Sequence, residues 1–83
     1  MCTNIATTAR IAGSAKTASG WIKVEEATIA FDHATHAWLD HALRIDFIGR
    51  DDRAAVELDL ASARALLERL DVVIAAAESS GVV

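Results

Sequence analysis

The chain has three histidines, and all of them fall in one short run, Asp32-His33-Ala34-Thr35-His36-Ala37-Trp38-Leu39-Asp40-His41. Neutral imidazole is the commonest protein ligand for zinc and serves iron equally well, so this cluster predicts a site for one transition-metal ion, Zn or Fe(II), held by His33, His36 and His41. Three nitrogen ligands leave a coordination position open. A metal there could polarise a substrate oxygen or activate water, which would make the domain a metal-dependent auxiliary enzyme acting on a small molecule. Cys2 is the candidate fourth ligand, and its thiolate would close the site into a structural one. Asp32 and Asp40 each adjoin a histidine and are expected to accept imidazole N–H bonds behind the metal rather than to bind it. Trp38, with Trp21 and Phe31, is expected to wall a pocket.

A metal-free reading stands beside this one. The spacing H-x2-H-x4-H matches no strict metal motif such as H-E-x-x-H, and solvated or pocket-lining histidines give the same pattern. His33 with Asp32, and His41 with Asp40, also permit acid–base chemistry without a metal. Cys2 as a nucleophile would need a lowered pKa, which a sequence does not show. Lys16 lies between Gly13 and Gly20, but that spacing is not a phosphate-binding loop.

The elements that must position the histidines follow from hydrophobic periodicity. Alternation predicts strands over about 4–11, 21–31, 42–48 and 53–58, with Leu43, Ile45 and Phe47 against Arg44 and Asp46 giving the cleanest pattern. Gly13 to Gly20 is expected to be a small-residue loop, and Glu25-Glu26 to form a bulge in the second strand. If the second and third strands pair as a hairpin, His33 and His41 face each other at its mouth with Cβ atoms roughly 5 Å apart. Ala63, Leu66, Leu67, Leu70, Val73, Ile74 and Ala77 recur at helical spacing and predict a helix over about 60–79, with Asp59 as its N-cap, Gly81 as its end and the leucine stripe as core. Arg44 and Asp46 are expected to form cross-strand ion pairs with Lys23 and Glu57 on an exposed face. The whole is one α+β domain over 1–83, a four-stranded antiparallel meander followed by one C-terminal helix packed on one sheet face.

Composition narrows the partners. A net charge of −4, a pI near 5.1 and an aromatic share of 5% with no tyrosine exclude a nucleic-acid binder that works by phosphate attraction or base stacking. The longest apolar run, Val72 to Ala77, is too short to span a bilayer, and the N-terminal residues do not form a signal peptide. One cysteine cannot form an internal disulfide, and a cytoplasmic location is expected. A hydrophobic fraction of 53% and mean hydropathy of +0.29 exceed what one sheet and one helix can bury. That excess predicts a homodimer, and the uncovered sheet face is the working surface of the metal-free alternative, a dimeric interaction or small-ligand-binding module.

The motifs Met1-Cys2-Thr3, Ile5-Ala6, Gly13-Ser14, Lys16, Gly20-Trp21, Ala27-Thr28, Asp32-His33, His36-Ala37, His41, Ile45-Asp46-Phe47, Val56-Glu57-Leu58 and Ser62-Ala63-Arg64-Ala65-Leu66 span most of the chain. In them the sequence resembles a family of small actinobacterial proteins without an assigned activity. The resemblance implies that Cys2, His33, His36 and His41 are the functional positions and, from the type of organism, a place in natural-product metabolism. The family pattern places prolines in the histidine loop, and this chain has none.

Overall fold

The computed structural model describes residues 5–34 and 38–81. Strands β1 (Ile5–Thr17), β2 (Gly20–His33), β3 (His41–Gly49) and β4 (Arg53–Leu58) form one antiparallel sheet in the order β1-β2-β3-β4, followed by helix α1 (Leu60–Ser79). The architecture is the expected α+β meander with a C-terminal helix.

The long first hairpin departs from expectation. Gly13 to Gly20 is not a loop: β1 continues to Thr17, pairing Lys16 with Trp21 and Thr17 with Gly20, so that only Ala18-Ser19 turn the chain. Gly20 closes the turn at φ 121°, a conformation that a side chain would strain. Small residues satisfy strand pairing along an edge, where large apolar groups have nothing to pack against. The expected bulge is present, with the β2–β3 register shifting between Val24 and Glu26.

Residues directly paired across strands project to the same face. Ile5, Phe31, Leu43 and Leu58 form one row and Thr7, Ile29, Ile45 and Val56 the next, which makes one face apolar. The opposite face carries Ala6, Ala30, Arg44 and Glu57, then Thr8, Thr28, Asp46 and Ala55. Among the described residues the core is small: Val24, Ala27, Ala30 and Ala42 are the buried hydrophobics, and Asp46 is buried with them. The expected ion pairs are corrected in part: Arg44 stands opposite Glu57 as expected, but Asp46 is buried rather than on an exposed face. Arg44 Nε stands 3.2 Å from Asp46 Oδ2 along the same strand, too far off line for a hydrogen bond, and Arg53 Nη1 is 4.0 Å from Asp46 Oδ1. Lys23 pairs instead with Ser14 on β1.

Helix α1 begins directly after β4, with Asp59 as its N-cap: the Asp59 carboxylate accepts a 2.7 Å bond from the Ser62 N–H. That backbone bond, with a further one from the Ser62 side chain, holds the Asp59 carboxyl below the usual carboxylate range. At the other end Gly81 takes φ 76° beyond the Ser80 cap. The helix meets the sheet chiefly at β3. The leucine stripe expected to be core is not: no residue of α1 is buried, and Leu67 and Leu70 are each 53% exposed. A single residue between β4 and α1 leaves the helix attached at its base, so only its first turns reach the apolar face.

Candidate functional site

The mouth of the β2–β3 hairpin is where the sequence placed its chemistry. His33 and His41 are direct register partners there, and their ring centroids lie 4.5 Å apart at an interplanar angle of 32°. Phe31 stacks on His41 at 5.5 Å and 22°. The two imidazoles stand on the same sheet face because pairing places opposite residues together, and the aromatic ring beside them screens one side of His41.

The other predicted participants are distributed differently. His36 and Cys2 lie outside the described residues. Asp32 pairs with Ala42, one step out of phase with the histidines, and so projects from the opposite face. Its Oδ1 accepts the backbone N–H of His33 at 2.7 Å. Asp40 is exposed, and its backbone carbonyl takes the Ala34 N–H at 3.4 Å. Among the described residues no group of three or more His, Cys, Asp or Glu side chains is arranged to hold a metal ion. The expected aromatic pocket is not assembled: Trp38 is 97% exposed, and Trp21, 69% exposed, lies at the turn end of β2, roughly 30 Å along the strand from Phe31.

A concavity among the described residues lies elsewhere. Between the apolar sheet face and α1 runs an open trough of about 400 Å³, floored by Ile29, Leu43 and Ile45 and walled by Leu60, Ala63, Leu66, Leu67 and Leu70, with Arg64 as its one charged lining residue. Such a lining offers dispersion and water exclusion and lacks the convergent polar groups that orient a reacting substrate. The trough ends at Leu70, and beyond it α1 continues for more than two turns with Val73 and Ile74 65% and 46% exposed. Sequence reasoning named the helix stripe as core and so missed it as a surface. The signal was available in its breadth, because Leu60, Ala63, Leu67, Leu70 and Ile74 make one row at three-and-four spacing while Ala63, Leu66, Leu70, Val73 and Ala77 make a second beside it. One sheet face covers one row.

Over residues 1–83 the chain matches a family of unknown function (DUF6295), and it is a member of that family. No curated protein matches the chain, and no solved structure does. No helix among the described residues is long and apolar enough to cross a membrane.

Proposed function

We propose that this domain is an interaction module that works as a homodimer, with the apolar trough and the helix stripe beyond it as the interface. The observation that carries this reading is a twenty-residue helix with no buried residue and an apolar stripe along its length. Surface area supports it. The chain exposes 6645 Å², whereas a compact monomer of 8.8 kDa exposes roughly 4,800 Å². The difference, spread over the whole chain, exceeds the roughly 800 Å² that each partner gives to an interface of standard size. The radius of gyration of 14.4 Å likewise stands above the roughly 12 Å of a compact chain this long. Sedimentation equilibrium tests the reading. A mass of twice 8.8 kDa that persists on dilution to micromolar concentration is the expected result, and an 8.8 kDa species at every concentration overturns it.

The second reading is the transition-metal site, which the direct pairing of His33 with His41 favours. Side-chain rotation would turn two nitrogens toward one ion, and His36 and Cys2 are the candidates to complete the set. Elemental analysis of untagged protein tests it, with a His33→Ala/His36→Ala/His41→Ala control. Near-stoichiometric zinc or iron that disappears in the control supports it. No metal above background after incubation with either ion overturns it.

A further inference from the structure

From the two apolar rows of α1, we infer how the second copy is seated: the helices of the two copies pack antiparallel about a two-fold axis that passes close to Leu70. This rests on the homodimer reading above and assigns the element that fills the interface.

The row nearer the sheet lies along the trough. The neighbouring row, Ala63, Leu66, Leu70, Val73 and Ala77, follows the three-and-four alternation with which one helix presents a continuous seam to another. Its lower half also borders the trough, whereas Val73 and Ala77 lie beyond the last lining residue and have no part of the chain's own sheet to cover them. A sheet from the second copy is a poor cover for this seam, since a flat face would have to reach past α1's own strands. A helix is a good one.

The order of sizes in the seam selects the direction. Alanine stands at each end, Leu66 and Val73 inside them and Leu70 at the centre, so the row reads nearly the same from either end. A two-fold interface requires such self-complementarity: Ala63 of one copy meets Ala77 of the other, Leu66 meets Val73, and Leu70 meets its own symmetry mate.

Electrostatics points the same way. No acidic residue lies in the first turn of α1 and no basic residue in the last, so the chain's own helical side chains leave the macrodipole uncompensated and Asp59 acts alone at the N-terminus. Antiparallel packing sets each positive helix end beside a negative one. The first half of α1 carries Arg64, Glu68 and Arg69 and the second Asp71 and Glu78, so the halves that meet differ in sign, the first by a single net charge.

Cysteine cross-linking in a Cys2→Ser chain tests the arrangement together with sedimentation. Leu70→Cys is expected to form a covalent dimer on mild oxidation, because residues at the axis come within the 4.4–6.8 Å Cα separation that a disulfide needs. Leu66→Cys alone is expected to cross-link poorly and the Leu66→Cys/Val73→Cys pair efficiently. Leu66→Glu with Val73→Glu is expected to weaken the dimer at least tenfold, while Ala65→Glu on the opposite face leaves it intact. Efficient cross-linking by Leu66→Cys alone, as parallel helices would give, overturns the arrangement and leaves the homodimer standing, as does a dimer indifferent to the glutamate pair. A parent chain that is monomeric at every concentration overturns both.

Discussion

His33 and His41 face each other across the last pair of the β2–β3 hairpin, their rings 4.5 Å apart, while Asp32, one residue away from His33, projects to the other side of the sheet. Any ion taken up at the hairpin mouth must therefore engage the two imidazoles from the apolar face, without the help of the Asp32 carboxylate.

That geometry makes the metal reading specific. Zinc added to the apo protein is expected to shift the ring-proton resonances of His33 and His41 together. His33→Ala and His41→Ala are each expected to weaken zinc binding by more than the ~10-fold that loss of a supporting group costs. Asp32→Asn is expected to have no effect on affinity, and Trp38→Ala none either, since the indole is almost wholly solvated. A zinc titration by NMR that leaves both rings unmoved ends the metal reading.

Ala42 is 1% exposed and lies on the small-residue face next to the hairpin mouth, in register with Asp32 on β2. There is no room for added methylenes. Ala42→Leu is expected to cost about 1–3 kcal/mol by overpacking. Urea unfolding with an unchanged m-value would report this as a loss of stability, and a variant as stable as the parent would show that the face is looser than its burial implies.

Gly49 pairs with Val24 at the bulge, and its N–H donates to the Asp52 carbonyl at 2.8 Å. A Cβ at this position would run into the carbonyl oxygen of Lys23 and stand 3.2 Å from that of Asp52, both of them backbone atoms that cannot swing aside. Gly49→Ala is expected to destabilise by about 2 kcal/mol or more through backbone displacement. The measurement is thermal unfolding, with Gly20→Ala as a contrast. Gly20 has open space around its missing Cβ and is constrained by its positive φ alone.

Strand order, helix limits and the opposition of His33 and His41 were legible because each rests on local periodicity: Leu43 to Phe47 alternate, Leu60 to Ser79 repeat at helical spacing, and a hairpin brings its own ends together. Two things were not legible. Lys16 and Thr17 belong to a strand although their neighbours are turn formers, since tertiary pairing with Trp21 and Gly20 outweighs local preference. Leu67 and Leu70 have core-like periodicity but lie on a surface, because periodicity gives the direction of an apolar row and not the partner that covers it. The pocket expected around Trp38 failed for a related reason: nothing in a one-letter string fixes where a loop residue points.

Asp59 ties the pH response of the molecule to its helix. The carboxylate accepts the Ser62 N–H, and this backbone bond, strengthened by the Ser62 side chain, lowers its pKa below that of the unfolded chain. A depressed folded-state pKa means that the charged form is favoured in the native protein. The contribution is thus complete above the unfolded carboxylate range near pH 4 and is lost as pH falls through the lower folded value. Helical ellipticity at 222 nm is expected to hold from neutral pH to about pH 5 and to decline below it. Asp59→Asn, which caps nearly as well without titrating, is expected to keep the neutral-pH signal and flatten the part of the acid decline that belongs to this group. Asp59→Ala is expected to lose helix stability at every pH, and if α1 forms the dimer interface that loss carries over to the dimer, whose dissociation constant should rise with it. An Asp59→Asn chain with the same acid profile as the parent would assign the decline to other carboxylates.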